Sequence, residues 1–300
     1  MAQIGFIGLG RMGFAMSRNL IDASHSVWVY DINPSAVERI VALGGHAAAS
    51  AAEAAANRDF VVTMLPNGPD VEETLFGAGG VATALTKDTL FIDMSTIAPD
   101  MTDKIARGLS AMNIRMVDAP VGGTSEVAER GDLLILAGGD ASDVARAQAV
   151  FDAVGRQTIH CGENGTGTRT KIVNNFMSTA LNILTAETLA FAEGAGLDVA
   201  RTVDVLAGTT AGRGFVSGAY QRKVLNHDIS PEFGLALAAK DLNLALNYAA
   251  GLNIPLPVGA AASQIYAMAK AEGFGVNDWS AALETMRRTA ALPRMSFDGQ

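Results

Sequence analysis

One cysteine in 300 residues, Cys161, leaves no intramolecular disulfide to be made, and a chain without such a staple is expected in a reducing compartment. It closes the apolar run 157–161 and reads as a small buried hydrophobe at a strand end rather than a nucleophile. The four histidines, His25, His46, His160 and His227, are scattered without ligand spacing, which argues against metal chemistry. Charge is sparse at 18% of residues, and the balance is acidic, a formal −9. Affinity for a phosphate backbone comes from Lys and Arg, so a general nucleic-acid binder is excluded. No apolar stretch reaches about 18 residues without a polar interruption, so no membrane span is expected. The opening residues lack the basic region that precedes a signal-peptide core, and the expected location is cytoplasmic.

Apolar residues, 49% of the chain, suffice for more than one core, and 300 residues exceed the size at which a single core stops growing. Over 1–161, short β-rich runs at 3–7, 27–30, 60–65, 90–94, 114–117, 133–137 and 158–161 alternate with helical segments. Several are unbroken apolar runs, the pattern of strands covered on both faces, so the fold class is α/β with a doubly wound parallel sheet. The turn-rich stretch 162–167 ends that pattern, and beyond it Ala, Leu, Met and Asn recur at helical spacing. A long helix over 168–192 is predicted first, then others near 198–207, 213–224, 234–250, 258–271 and 279–288. The expected division is a Rossmann-type domain over 1–163 and an all-helical substrate and dimerisation domain over 164–300.

The first strand runs straight into Gly8-Leu9-Gly10-Arg11-Met12-Gly13 and then a helix. A G-x-G-x-x-G alone is weak evidence, but this context is the one a dinucleotide loop requires. Gly8 makes the tight turn, Gly10 lets the backbone approach a pyrophosphate, and Gly13 lets helix pack on strand. The second strand ends at Asp31, where a carboxylate can accept from ribose hydroxyls and would repel a 2′-phosphate, so the cofactor reads as NAD rather than NADP. The plainer alternative is that Asp31 starts a turn and caps the next helix. The turns Leu65-Pro66-Asn67 and Ser95-Thr96 leave later strands at the end where ligands bind, or are turn chemistry only.

Lys171, Asn174, Asn175 and Ser178 fall at i, i+3, i+4 and i+7 of the long helix and share one face, while Ile172, Val173, Phe176, Met177, Leu181, Ile183 and Leu184 cover the others. That pattern predicts a buried helix whose polar stripe meets a substrate. A buried Lys has a lowered pKa and can pass a proton to a carbonyl oxygen as a hydride arrives. The alternative is a solvated helix edge with an ordinary Lys171. Asp118-Ala119-Pro120-Val121-Gly122-Gly123-Thr124-Ser125 offers open amides and two hydroxyls for an anionic head group, or is a plain turn. Lys240 taken alone reads as a surface residue.

Together these motifs resemble the β-hydroxyacid dehydrogenase family of 3-hydroxyisobutyrate dehydrogenase and tartronate semialdehyde reductase, over nearly the whole chain. The residues carrying the likeness are 6–13, Asp118-Ala119-Pro120-Val121, Gly165-Thr166-Gly167 with Lys171, Asn174 and Asn175, and Lys240-Asp241-Leu242. The resemblance implies Lys171 as catalytic acid or base, Asn175 positioning substrate, and Arg11, Met12, Leu65, Thr96 and Lys240 as cofactor contacts. It further implies a small anionic semialdehyde or hydroxy acid as substrate. The sulfolactaldehyde reductase branch is similar through 64–68, 93–97, Thr124-Ser125 and 174–178, but Gly123 stands where that branch is expected to place an Arg for the sulfonate. Competing with the enzyme reading is a dinucleotide-binding sensor that catalyses nothing. The apolar helices of the second half suggest a homodimer or homotetramer.

Overall fold

The computed structural model describes residues 1–215, 220 and 223–292, in two compact units, Met1–Phe176 and Met177–Gln300. In chain order the first unit holds β1 (Gln3–Ile7), α1 (Arg11–Asp22), β2 (Ser26–Tyr30), α2 (Pro34–Val41), β3 (His46–Ala47), α3 (Ala51–Ala55) and β4 (Phe60–Thr63). Then come α4 (Gly68–Phe76), β5 (Leu90–Asp93), α5 (Pro99–Ala111), β6 (Arg115–Asp118), β7 (Val121–Gly122), α6 (Ser125–Glu129), β8 (Leu133–Gly138), α7 (Ala141–Val154) and β9 (Gly155–Gly162).

The sheet order is β3-β2-β1-β4-β5-β6-β8-β7, with β9 on β8. Strands β1 to β6 pair in parallel, and β8 runs antiparallel to β6 and β7. Because side chains alternate across a sheet, the strands feed two cores. Ile4, Phe6, Val62 and Ile92 join one that holds Met16, Leu20 and Phe151; Ile7, Val61 and Phe91 join the other, with Leu75, Ile105 and Leu109. Burying each such side chain stabilises by about 1.5–3 kcal/mol, which is why these strands are unbroken apolar runs.

Strand order reverses between β1 and β4, and a doubly wound sheet opens a crevice at that point, at the carboxyl ends of its strands. The run expected over 60–65 stops pairing at Thr63, which frees Met64 and Leu65 to leave the sheet there. The sequence gives no hint of β3 and β7, two residues each, too short for any period. Cys161, expected buried, is half-exposed because β9 is an edge strand partnered by β8 alone.

Helix α8 (Thr166–Gly194) leaves the sheet after β9. The second unit continues with α9 (Val199–Gly208), α10 (Thr210–Arg213), α11 (Leu235–Gly251), α12 (Pro257–Ala271) and α13 (Ala282–Thr289). The helix expected over 213–224 lies partly outside the described residues. Leu235, Ala269, Phe274 and Ala281 form this unit's core. Glu187 of α8 accepts from Val258 N at 2.9 Å and Gly259 N at 3.4 Å, capping α12.

The apolar residues of α8 depart from expectation. Val173 is 70% and Phe176 75% exposed, and Ile172, Met177, Leu181, Ile183 and Leu184 are also exposed. The pattern that predicts burial is present in the sequence, but among the described residues these side chains are left exposed.

Candidate active site

At Gly8 and Gly13 the glycine loop is built by contacts that leave no room for side chains. Gly8 has φ +98°, donates its amide to Tyr30 O at 3.0 Å, and would drive a Cβ into the carbonyl oxygen of Met64. A Cβ on Gly13 would strike the carbonyl oxygen of Gly8, so α1 packs directly on the turn. A Cβ on Gly10 would meet nothing within 4 Å; this glycine faces open space. It is also the N-cap of α1, which has no side-chain cap and no acid in its first turn. By contrast, Asn33, Asn67 and Asp140 cap α2, α4 and α7 through their side chains. An uncapped helix start with free amides and a positive dipole end fits a pyrophosphate.

This loop forms one wall of a cleft of about 660 Å³ at the β1/β4 crevice. Of the residues singled out as cofactor contacts, Gly8, Gly10, Arg11, Met12, Gly13, Asp31, Leu65 and Pro66 line it. Thr96 is exposed beyond the lining, next to Ser95, whose Oγ accepts from Leu65 N at 2.9 Å. Lys240 is an exposed residue of α11 in the other unit. Sequence reasoning missed Tyr30, Ile32, Asn33 and Met64 on the lining, and Asp70, Glu73 and Thr74 of α4. The spacing 70, 73, 74 placed one polar face behind the Asn67 cap, and that was the available signal.

Asp31 is half-buried at the cleft. Its Oδ2 accepts from Leu9 N at 2.5 Å and its Oδ1 from Asn33 N at 2.7 Å. The carboxylate thus ties the glycine loop to the turn after β2, and the cap of α2 is Asn33, whose side chain accepts from Ser35 N at 3.2 Å. Each oxygen retains a lone pair that can accept from a ribose hydroxyl.

The loop after β6 is two-sided. Gly122 ends β7, while Gly123 (φ +139°) and Thr124 are exposed. A Cβ on Gly123 would lie 2.9 Å from both Leu133 Cδ2 and Val127 Cγ1, so the loop is shaped around the missing side chain. Ser125, half-buried, lines a second hollow of about 400 Å³ with Gly10, Arg11, Asn33 and Arg39.

On α8, Lys171 and Asn175 are half-buried, and Asn174 and Ser178 exposed. Burial pushes the Lys171 ammonium below its ordinary value. The helix start is pinned to the sheet: Asp118 Oδ1 accepts from Gly165 N at 2.6 Å and its Oδ2 from Thr168 N at 2.7 Å. Thr102 donates to Thr168 Oγ1 at 3.1 Å, and Arg169 forms a two-pronged ion pair with Asp103 at 3.0 and 2.7 Å. The stripe therefore begins at the carboxyl end of β6. Among the described residues no cluster of His, Cys, Asp or Glu could hold a metal ion, and no helix is long and apolar enough to cross a membrane.

Residues 3–162 match the family model for the NAD binding domain of 6-phosphogluconate dehydrogenase, and 165–286 that for the NAD-binding domain of NADP-dependent 3-hydroxyisobutyrate dehydrogenase. The chain is 46% identical over 292 residues to 3-sulfolactaldehyde reductase of Escherichia coli (strain K12), covering 97% of this chain and 98% of that one. It is 35% identical to mitochondrial 3-hydroxyisobutyrate dehydrogenase of Drosophila melanogaster, covering 95% and 90%. The solved structure of Mycobacterium tuberculosis 3-hydroxyisobutyrate dehydrogenase with L-serine superposes with a TM-score of 0.66 at 34% identity, covering 96% and 99%. With a dinucleotide cleft at the crevice and relatives matched along nine-tenths or more of their lengths, the chain belongs to the 3-hydroxyisobutyrate dehydrogenase family of NAD-dependent oxidoreductases.

Proposed function

We propose that this oxidoreductase interconverts a small anionic semialdehyde and its β-hydroxy acid, or 3-hydroxy sulfonate, with Lys171 as the proton-transferring residue. The observation that carries the reading is the half-buried ammonium of Lys171, its pKa lowered by burial, one turn beyond a helix start anchored at the carboxyl end of the sheet. An amine with a lowered pKa gives up its proton more readily near neutral pH.

The bound dinucleotide supplies or accepts the hydride. Gly8, Gly10, Arg11, Met12 and Gly13 would hold its pyrophosphate half, Asp31 its ribose, and Leu65 and Pro66 would form the far wall; the family likeness adds Thr96, beyond that wall, and Lys240. As hydride reaches the carbonyl carbon, Lys171 delivers its proton to the carbonyl oxygen, and it takes that proton back in the reverse direction. Asn175 orients substrate, and Asn174 and Ser178 extend the polar stripe. The amides and hydroxyls of Gly122, Gly123, Thr124 and Ser125 receive the acid group. The catalytic division follows the chain, with 1–163 binding NAD and 164–300 providing the substrate and dimerisation domain, in a cytoplasmic homodimer or homotetramer.

Two head groups compete. The 46% identical relative is a 3-sulfolactaldehyde reductase, which favours a sulfonate. Gly123 counts against that preference, because its φ of +139° and its close neighbours disfavour a guanidinium-bearing side chain that would grip a sulfonate, which leaves a carboxylate equally open. Semialdehydes bearing a carboxylate, a sulfonate or no acid, assayed with NADH and NADPH, test the reading. The acidic substrates and NADH should each lead by tenfold or more in kcat/KM, roughly the 1.4 kcal/mol of one retained charge-assisted hydrogen bond. Equal kcat/KM for the neutral aldehyde removes the anion site, and equal values with NADPH remove the role of Asp31.

A further inference from the structure

Asp118 ends β6 fully buried, an expensive place for a carboxylate, and burial pushes its pKa up while the Gly165 and Thr168 amides pull it back. What it does there is visible in its partners, 47 and 50 residues further along the chain, which are amides at the start of α8. The residue preceding that helix is Gly165, at φ +86°, which has no side chain to cap with. A strand-borne carboxylate takes the place of a cap, with two charge-assisted bonds at the positive end of the helix dipole.

The seat is fitted closely. A Cβ on Gly138 would lie 2.6 Å from Asp118 Oδ1 and 2.7 Å from Gly167 N, and a Cβ on Gly167 would lie 2.7 Å from Asp118 O. These two glycines let helix, strand and carboxylate meet. Thr168 adds its hydroxyl, which bonds Asp118 and accepts from Thr102. Lys171 follows Gly167 by four residues and Thr168 by three, which places it on the helical face that rests on Asp118. Side chains of a helix lean toward its N-terminus, so this face carries Lys171 back toward the anchored turn. On the other side of Asp118, the in-register residue of β5 is Asp93, which accepts from Thr63 Oγ1 at 2.9 Å and Ser95 N at 3.1 Å. Ser95 in turn accepts from Leu65 N on the cofactor cleft. One buried polar line therefore runs from the cleft wall to the helix start.

We propose that Asp118 is a positioning residue for Lys171: its carboxylate fixes the first turn of α8 on the end of β6 and so sets where the ammonium stands relative to the cleft. The inference rests on Lys171 being the proton donor. A displacement of about 1 Å in a reacting group costs on the order of 10²-fold in rate, so a loosened turn is read in turnover before it is read in binding.

The test is Asp118→Asn, which keeps volume and one acceptor but turns an NH2 toward an amide that donates. NADH affinity should stay within about threefold, kcat should fall by about 10- to 100-fold, and the basic limb of the kcat–pH profile should move up by about half a unit or more as Lys171 regains water. A folded Asp118→Asn enzyme with wild-type kcat overturns the inference, and so does a lower kcat with an unmoved basic limb, which marks general structural damage. If that variant does not fold, Thr168→Val removes the hydroxyl that bonds Asp118 and Thr102, and its basic limb must move the same way or the inference fails. Lys171→Ala separates the two assignments. Full turnover in that mutant removes the proton donor itself, whereas loss of turnover there with a wild-type Asp118→Asn removes only the positioning role.

Discussion

Asp93 is fully buried, and burial raises its pKa to about 6, with its neighbour Asp118 adding to the effect and the Ser95 and Thr63 hydrogen bonds opposing it. An unfolded aspartate releases its proton near 3.9, so between about pH 4 and pH 6 the native state binds more protons than the unfolded state. Stability from this group is therefore present at the acid end of that window and lost as pH rises through it, by roughly 3 kcal/mol in all. This is opposite in sign to Asp228, whose pKa of about 2 reflects bonds from Ser230 and Lys223 that hold it charged. Asn at 93 can keep the oxygen that accepts from Thr63 and Ser95 while removing the ionisation. Denaturant melts of Asp93→Asn should show a flatter stability–pH curve between pH 4 and 7 than the wild type. Parallel curves would mean that Asp93 is not the group that titrates. Some residues of the site were legible individually: the three glycines and Asp31 sit in a local pattern of strand, turn and helix whose geometry demands them. Asp118 was readable only as part of an anion loop, because the amides it holds lie across the fold and leave no trace in spacing.

At the scale of elements, hydrophobic period carried most of the architecture. The apolar runs of β1, β4 and β5 feed cores on both faces, and that is what a doubly wound sheet writes into a sequence. Elements of two residues, β3 and β7, have no period to read. The antiparallel turn of β8 against β6 was not legible either, since an apolar run does not state its direction. Helix α8 shows the limit most clearly. Its polar stripe was readable from residue type and its anchoring was not; its apolar residues predict burial without saying by what.

At the scale of the whole molecule, that last question is one of association. Val173, Phe176 and Ile183 of α8, and Val205 of α9, are each more than half exposed. Exposed apolar patches mark association sites, and the homo-oligomer proposed for this chain would cover such side chains with a second copy. Sedimentation equilibrium at micromolar concentration should give a mass of at least twice 31.1 kDa, and Phe176→Glu should shift the population toward monomer. A wild-type chain that sediments as a monomer excludes the homo-oligomer.

Proton transfer from Lys171 is the step on which the proposed reaction turns, and single-turnover reduction of the preferred semialdehyde by enzyme-bound NADH isolates the hydride transfer that it would accompany. Lys171→Ala should bind NADH with wild-type affinity and transfer hydride about 10² to 10⁴ times more slowly. A mutant that binds NADH normally and transfers hydride at more than half the wild-type rate contradicts it.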